Sequence, residues 1–394
     1  MTRRELLSLS LYSLLSSNRG GLFIVYLPLY LVYVKGASLE IAFVIMSLAW
    51  VPASLIGPAV GRLSDRMGRR RPFLVAAEAT AFPLFLSIIF APGYLLAGAL
   101  FIAAELALAI GGPAYSAYVA DVTQVEERGF GYGLLNATSS AGGIVGFVLA
   151  AWVTFAYGLS ALFPFVVAVM VGTLSVVVLI VPEVKLEPHE RVRPTFAEVK
   201  PIVTFSFAVS IRAIGSGAIA TFYGIYAAIL GANNLEVGVV AIAGLATSAL
   251  LSVPLGHLID RRGEIPGIWY GTLLTLGSFG VFMVADRWWW TLPAQGLRSG
   301  GLALLSTGMM AWVARISPPH RRAEYMGVFS LINSTLWSVG PLVGAVALWV
   351  AGYVGLFVMA IVTTVVSLVV MEFLYGEVGI RARLRPSGAA SGRP

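Results

Sequence analysis

The sequence predicts an all-α integral membrane protein in which twelve transmembrane helices form two pseudo-symmetric six-helix bundles. Three observations lead to this fold class. Hydrophobic residues make up 58% of the 394 residues and the mean hydropathy is +0.87, which is more apolar than a soluble chain of this length. Apolar runs of about 18 residues or more recur from end to end. Motifs of the first half also reappear, in the same order, in the second half.

The apolar runs define the individual helices, because each is long enough to cross a hydrocarbon core of about 30 Å. The N-terminal segment starts with a basic region, as signal peptides do, but its apolar pattern continues past Tyr33 without a small-residue cleavage site. We therefore expect a retained first helix. The predicted spans are residues 6–33, 39–60, 72–91, 94–119, 130–155, 159–181, 201–229, 234–256, 265–286, 288–314, 326–349 and 355–375.

One connection is much longer than the others. The charged, proline-bearing segment Pro182–Lys200 separates six spans from six, as a linker between two bundles does. The sequence thus predicts an N-terminal six-helix bundle at 1–181, a cytoplasmic linker at 182–200, a C-terminal bundle at 201–376 and a cytoplasmic tail at 377–394.

Positive charge is distributed unevenly between the two sides of the predicted membrane. With a cytoplasmic N-terminus, 21 of the 26 Lys and Arg residues fall in cytoplasmic segments, and only Lys35 and Arg287 fall outside. The positive-inside rule therefore predicts a multi-pass protein of the plasma membrane with both termini in the cytoplasm. The same bias accounts for the net charge of +7, so we expect a lipid bilayer and not nucleic acid as the partner.

Four short motifs recur at an offset of 194–198 residues. The first is GRLSDRMGRRR, which starts at Gly61 and returns as GHLIDRRGE. The others are GASLE at 36–40, AYVAD at 117–121 and GGIVG at 142–146, which return as GANNLE, AWVAR and GPLVG. A duplicated six-helix unit follows, and parallel repeats of this kind place a binding site near the midplane between the halves.

The motif at Gly61 resembles the G-x-x-x-D-R-x-G-R-R loop signature of the major facilitator superfamily, and the sequence resembles that superfamily over essentially its whole length. The second copy GHLIDRRGE and the segment VADVTQVEERG support the resemblance. It implies two bundles that alternate access to a central cavity lined chiefly by helices 1, 4, 7 and 10. It also implies a small-molecule solute as partner and an ion gradient in place of a cofactor. We expect a monomer.

The resemblance further implies a cytoplasmic gate at the loop motif. Asp65 would latch the first half against helix 11 when the cytoplasmic side is closed, and neighbouring arginines would brace it or contact anionic lipid. The alternative is a solvated basic loop that serves topology alone. The predicted gate residues are Gly61, Asp65, Arg66, Gly68, Arg69, Asp121, Asp260 and Arg261.

Charged residues deep in the spans predict the functional site. A charge at the membrane centre costs about 2.5–3.5 kcal/mol on insertion scales, so such residues face the protein interior or water. At 1.5 Å per residue, each of four charges lies roughly 15–18 Å from a surface, and we expect all four at one level. The predicted substrate and coupling residues are Arg19, Glu105, Arg212 and Arg298, with Asn18, Tyr30, Tyr226 and Gln295 as neighbours.

The repeat places Glu105 and Arg298 at nearly equivalent positions, so that an acid faces a base. The two residues form either a buried ion pair that locks the halves together or a substrate or proton site, and both hold if the pair breaks during transport. Three arginines against one deep carboxylate favour an anionic substrate. Burial favours a protonated carboxylic acid, which makes Glu105 the first candidate for proton coupling. For Glu78 in helix 3 we expect an ion pair with arginines of the loop or the N-terminus, and a secondary proton site is the alternative.

The sequence therefore predicts a secondary active transporter for a small organic solute, with an anion favoured and protons as the coupling ion. The main alternative is a proton-coupled exporter of drugs or amphiphiles. Such exporters carry an arginine on helix 4 and a G-P-x-x-G-G-like motif on helix 5, where this chain has Glu105 and SSAGGIVGF. A receptor on a transporter scaffold is less favoured, because the tail after Glu377 is short. We expect no enzyme and no metal site, since the chain lacks cysteine and the common catalytic motifs.

Overall fold

The computed structural model describes residues 3–122, 128–183, 196–316 and 322–383, and these residues are almost entirely helical. Two 3-10 turns, Leu159–Ala161 and Trp288–Trp290, precede α7 and α11. The helices are α1 (Arg3–Tyr33), α2 (Leu39–Met67), α3 (Arg71–Ile89), α4 (Tyr94–Ala109), α5 (Gly111–Val122), α6 (Arg128–Tyr157), α7 (Leu162–Leu179), α8 (Phe196–Ile229), α9 (Asn234–Arg262), α10 (Glu264–Val284), α11 (Thr291–Ile316) and α12 (Arg322–Arg383).

The helices give twelve membrane crossings. Only Ile110 separates α4 from α5, so these two helices form one crossing. Non-helical backbone at Ala351 and Gly352 divides α12 into two crossings, which we call α12a (322–350) and α12b (353–383). Within the described ranges, nine helices are long and apolar enough to span a membrane, and one of them, Tyr325–Leu374, covers both parts of α12. The predicted all-α membrane fold is confirmed.

Several helices extend beyond their predicted spans. α2 continues to Met67 and α9 to Arg262, so most of each loop motif is helical. α12 likewise continues to Arg383, and α8 begins at Phe196, inside the expected linker. A helix satisfies its own backbone hydrogen bonds, so it continues into the polar interface where the hydropathy signal stops. Linker residues 184–195 and tail residues 384–394 lie outside the described residues.

Left-handed glycines mark the internal repeat. Glycine adopts positive φ without the steric cost that a Cβ imposes. Six described glycines have positive φ, and they form three pairs separated by 195, 195 and 194 residues: Gly36 and Gly231, Gly68 and Gly263, and Gly158 and Gly352. The turns of the two halves thus share both position and backbone conformation, which confirms the duplicated unit. The third pair lies at the turns before the last crossing of each half, where the sequence carries no recognisable motif.

Small residues bring equivalent helices together in each half. A Cβ at Gly142 or Gly146 of α6 would overlap the backbone carbonyls of Leu14 or Asn18 in α1. In the second half, a Cβ at Gly340 of α12a would overlap backbone atoms of α8 in the same way. The repeated GGIVG and GPLVG motifs therefore allow two helix backbones to pack without intervening side chains, as small residues do in membrane helices.

Aromatic and hydroxyl side chains join the two halves. The rings of Trp50 on α2 and Trp337 on α12a lie 4.9 Å apart, across the interface between the halves. Nearby, the Ser47 hydroxyl donates to the Ser338 carbonyl at 2.7 Å and accepts from the Leu342 amide at 2.8 Å. One serine of the first half thus caps two backbone groups of the second.

A second set of contacts lies close to the helix ends that are opposite the termini. The Tyr26 hydroxyl donates to the Asn234 carbonyl, and the Asn234 amide nitrogen donates to the Thr154 carbonyl, each at 3.0 Å. We call the joint formed by Tyr26, Ser47, Thr154, Asn234, Ser338 and Leu342 the inter-half seal. Its hydrogen bonds join the two halves on the side of the molecule that the charge bias predicts to be the outer side.

Candidate functional site

A buried ion pair joins α1 to α3. The Arg19 guanidinium makes two parallel hydrogen bonds to the Glu78 carboxylate, Nη1 to Oε2 and Nη2 to Oε1, each at 2.6 Å. The Glu78 side chain is fully buried, and the Tyr12 hydroxyl donates to its Oε1 at 3.3 Å. Bidentate, charge-assisted pairs of this kind are among the strongest hydrogen bonds in proteins. Both terminal nitrogens of Arg19 are therefore engaged by protein.

The ion pair corrects one predicted partner. Pairing of Glu78 with an arginine is found, but the arginine is Arg19 and not one from the loop or the N-terminus. Long side chains in a helix point back toward its N-terminus, so Arg19 reaches toward the terminal side of the membrane, where Glu78 lies. The loop residue Arg70 is itself buried, and it donates to the Ser64 hydroxyl at 2.7 Å.

Glu105 on α4 lies next to the ion pair and next to the other half of the molecule. Its carboxyl group lies beside the Trp50 side chain and within electrostatic range of Arg19. Since Trp50 also stacks on Trp337, Glu105 is one side chain away from the second half. Of the two alternatives for Glu105 and Arg298, the buried ion pair is not found among the ion pairs of the described residues, and the substrate or proton site stays a prediction.

Arg298 on α11 is held by its own helix and by an aromatic ring. Its Nε donates to the Gln295 Oε1 at 2.8 Å, and its guanidinium carbon lies 5.5 Å from the centre of the Tyr223 ring on α8. Both contacts orient the guanidinium, the second through a cation–π interaction. Within the described part of the chain, no acceptor binds its Nη1 or Nη2, and Arg298 keeps 7% of its surface exposed. The two terminal nitrogens are thus positioned but unused.

Arg212 on α8 is more deeply buried, with 3% of its surface exposed. Its Nη2 lies 3.5 Å from the Asn333 Oδ1, at the limit of a hydrogen bond, and its Nε is buried with no partner. Across the described ranges, no carboxylate pairs with it or with Arg298. The second half thus carries two guanidinium groups that no carboxylate of the described ranges neutralises, and burying an unpaired charge is costly.

The single level of the four deep charges stays a prediction. Along its helix, Arg298 is 7 residues from the end opposite the termini, Glu105 is 11, Arg19 is 14 and Arg212 is 17. The position along the helix therefore differs most between Arg298 and Arg212.

Three of the predicted neighbours serve the fold. The Asn18 amide donates to the Leu14 carbonyl of its own helix at 2.8 Å. Tyr30 packs against Phe163, with ring centres 4.7 Å apart. The Tyr226 hydroxyl donates to the Ala285 carbonyl at 3.2 Å, close to the helix end opposite the termini. Of the four predicted neighbours, only Gln295 contacts one of the four charges through its side chain.

The structure describes the side chains of only some of the predicted gate residues. Gly68 has a φ of 60° and ends α2, and a Cβ at Gly61 would lie 3.7 Å from Pro113 of α5. Arg66, Arg69 and Arg261 are exposed. The side chains of Asp65, Asp121 and Asp260 are not among the described ones, so the latch stays a prediction.

Tyr12, whose hydroxyl donates to Glu78, was not predicted from the sequence. Tyr12 lies on α1 and Glu78 on α3, 66 residues apart, so no spacing rule connects them. Within the described part of the chain, no group of His, Cys, Asp and Glu could hold a metal ion. The chemistry available is proton exchange at carboxyl groups and anion binding at guanidinium groups.

Comparison with known proteins supports this picture. The family described as Major Facilitator Superfamily matches residues 9–210 and 205–392, one match in each half. The uncharacterized MFS-type transporter MJ1560 of Methanocaldococcus jannaschii is 28% identical over 34% of this chain and 34% of its own length. The quinolone resistance protein NorA of Staphylococcus aureus is 25% identical over 41% of this chain and 45% of its own length. These two matches thus span less than half of each relative.

A solved structure is similar over nearly the whole chain. The crystal structure of the nucleoside transporter NupG superposes with a TM-score of 0.77, covering 94% of this chain and 99% of that one, at 10% sequence identity. At this identity the similarity concerns the fold alone.

Proposed function

We propose that this chain, which belongs to the Major Facilitator Superfamily, moves a small organic anion across the membrane together with protons. Membership of the family makes it a multi-pass membrane transporter and not an enzyme. The observation that carries the anion proposal is the pair of buried arginines in the second half, Arg298 and Arg212, which have no carboxylate partner among the described residues.

Arg298 is the proposed substrate-binding residue. Gln295 and Tyr223 already hold its guanidinium in one orientation, so less side-chain entropy is lost when a ligand binds. A carboxylate or phosphate fits the two unused nitrogens side by side, with two parallel hydrogen bonds. Arg19 is less suited to this role in the present conformation, because Glu78 occupies both of its terminal nitrogens.

Glu105 is the proposed proton site. Its neighbour Trp50 contacts Trp337 across the interface between halves, so a change of charge on Glu105 acts directly beside an inter-half contact. Arg19 lies within electrostatic range of Glu105 while bonded to Glu78. An ionised Glu105 therefore competes with Glu78 for Arg19, and a protonated Glu105 does not. Protonation would in this way shift the balance between the two transport conformations.

The anion proposal is tested by transport in proteoliposomes under an imposed pH gradient, with a panel of carboxylates and organic phosphates beside organic cations. We expect an anion to accumulate, and Arg298→Gln to lower its uptake at least about 100-fold, since a charge-assisted bidentate contact is lost. Arg287→Gln, at an exposed arginine, is the matched control. An Arg298→Gln protein that moves the anion at the wild-type rate contradicts the proposal.

Glu105→Gln separates coupling from binding. The neutral amide keeps the size of the side chain but holds no exchangeable proton, so we expect accumulation driven by the pH gradient to disappear while exchange of labelled for unlabelled anion continues. Net uptake and exchange are measured in the same vesicles. Gradient-driven accumulation at the wild-type level in Glu105→Gln would show that protons are carried elsewhere.

A second candidate function is export of drugs or amphiphiles, because this chain is similar to NorA over 41% of its length. The same vesicle assay distinguishes the two functions. Drug export predicts movement of cationic or neutral amphiphiles that does not depend on Arg298. The unneutralised arginines of the second half favour the anion.

A further inference from the structure

A second set of unsatisfied donors lies on α8, away from Arg298. The Nε of Arg212 and the hydroxyl of Ser216 are both buried, and neither has a hydrogen-bond partner. Arg212 and Ser216 are four residues apart, so their side chains lie on the same face of the helix, one turn from each other. The side-chain oxygen of Asn333, on α12a, is 3.5 Å from the Arg212 Nη2.

Such an arrangement is unusual inside a protein. The great majority of buried polar side-chain atoms have a hydrogen-bond partner, and each exception calls for an explanation. Here a guanidinium nitrogen and a hydroxyl group remain unsatisfied on adjacent turns, and the charge of Arg212 has no counter-ion among the described residues. A single oxyanion would supply both the counter-ion of Arg212 and the acceptors for the two unsatisfied donors, because it carries a negative charge and several acceptor oxygens.

We propose that Arg212 and Ser216, with Asn333 beside them, form a second oxyanion subsite, which the acidic group of the transported solute occupies after it leaves Arg298. This inference rests on the proposed function. The shared chemistry is a carboxylate, phosphate or sulfate group, bound through the Arg212 guanidinium and the Ser216 hydroxyl. The solute would then bind to the two arginines of the second half one after the other.

The separation of the two subsites supports successive occupation. Arg298 lies over Tyr223, and Tyr223 is eleven residues from Arg212 along α8, which corresponds to about 16 Å. A small dianion is too short to bridge that distance. Arg212 also lies nearer to the helix ends that carry the termini, so a solute released on that side passes Arg298 first and Arg212 second.

The test is binding of radiolabelled sulfate and benzoate to the purified full-length protein in nanodiscs at low ionic strength. We expect two sites per chain in the wild type, and one in Arg212→Gln and one in Arg298→Gln. Ser216→Ala is expected to weaken one site about tenfold, because one hydrogen bond to a charged group is lost. Ser206→Ala is the matched control, since Ser206 is an equally buried, unpartnered serine of α8 on a different face.

Two further measurements test whether the charge of Arg212 is sufficient for binding and whether a lipid phosphate occupies the subsite. Arg212→Lys retains the charge and is expected to keep the second site with reduced affinity. Nanodiscs of phosphatidylcholine are compared with nanodiscs that contain phosphatidylglycerol, because a lipid phosphate in the subsite would lower sulfate binding only in the second. If Arg212→Gln does not purify as a folded protein, the pair Ser216→Ala and Ser206→Ala, which keeps every charge, decides the question.

The outcomes separate this inference from the proposed function. Loss of one site in Arg212→Gln, together with about tenfold weaker binding at one site in Ser216→Ala, supports the second subsite. If Arg298→Gln loses its site while Arg212→Gln and Ser216→Ala bind two anions with wild-type affinity, the second subsite is overturned and the proposed function stands. If neither arginine affects binding, both are overturned. Competition by anionic lipid at the Arg212 site would also overturn the transport role, since it assigns the subsite to a bilayer headgroup.

Discussion

Replacement of Glu78 by glutamine is expected to lower the free energy of unfolding by about 3–5 kcal/mol, the usual cost of breaking a buried ion pair by removing one partner. The amide keeps the shape of the carboxylate but leaves Arg19 charged, buried and without its counter-ion. Arg19→Gln is expected to cost less, because the carboxyl group left behind can take up a proton, whereas a guanidinium group cannot lose one. Thermal or denaturant unfolding in nanodiscs measures both.

A double replacement distinguishes lost charge balance from lost packing. Arg19→Met combined with Glu78→Leu removes both charges and fills a similar volume, so stability should return close to the wild-type value. Arg19 could also turn to Glu105 in the Glu78→Gln protein, and Glu78→Gln with Glu105→Gln removes that possibility. A loss below 1 kcal/mol in Glu78→Gln, unchanged when Glu105→Gln is added, would show that the ion pair contributes little to the fold.

Gly142→Ala is expected to destabilise the protein by about 3 kcal/mol or more, at the upper end of the cost of overpacking. The added methyl group overlaps the Leu14 carbonyl, and a backbone atom cannot move aside as a side chain can. α1 and α6 would have to separate. The measured quantities are the unfolding free energy and the monodisperse fraction after purification.

The neighbouring glycine provides the control for this prediction. A Cβ at Gly143 would lie 3.5 Å from a methyl carbon of Leu245, an ordinary van der Waals distance. Gly143→Ala should therefore be tolerated, although it adds the same methyl group to the same helix one position later. Equal stability of the two variants would contradict the close backbone contact between α1 and α6.

Much of the fold could be predicted because its signals are local and repeated. Apolar runs fix the number of crossings, and the paired motifs at Gly61 and Gly142 indicate the duplication. Helix ends were less predictable, as α12 shows by continuing to Arg383. Hydropathy reports where the hydrocarbon core ends, whereas the helix ends where its backbone hydrogen bonds are no longer favourable.

The sequence indicated which charged residues are buried in the membrane, but not which residues they contact. The cost of burying charge is sufficient to identify Arg19, Glu105, Arg212 and Arg298 as unusual. It does not indicate which way each helix is rotated or how far a long side chain reaches. Arg19 could therefore be assigned to the substrate when its partner is Glu78, and Glu105 to Arg298 when its neighbours are Trp50 and Arg19. Contacts between distant helices determine these pairings, and a single sequence carries no record of them.

The inter-half seal, from Tyr26 to Leu342, consists of hydroxyl, amide and carbonyl groups and includes no ionised side chain. Opening it moves none of its own charge through the electric field of the membrane. A membrane potential does work of about 2.3 kcal/mol per elementary charge per 100 mV, so we expect it to act on the seal through the other buried charges, such as Glu105 and the arginines, and through the proposed anion. A cycle that carries one monoanion with one proton would run almost independently of voltage, and a second proton would make it electrogenic.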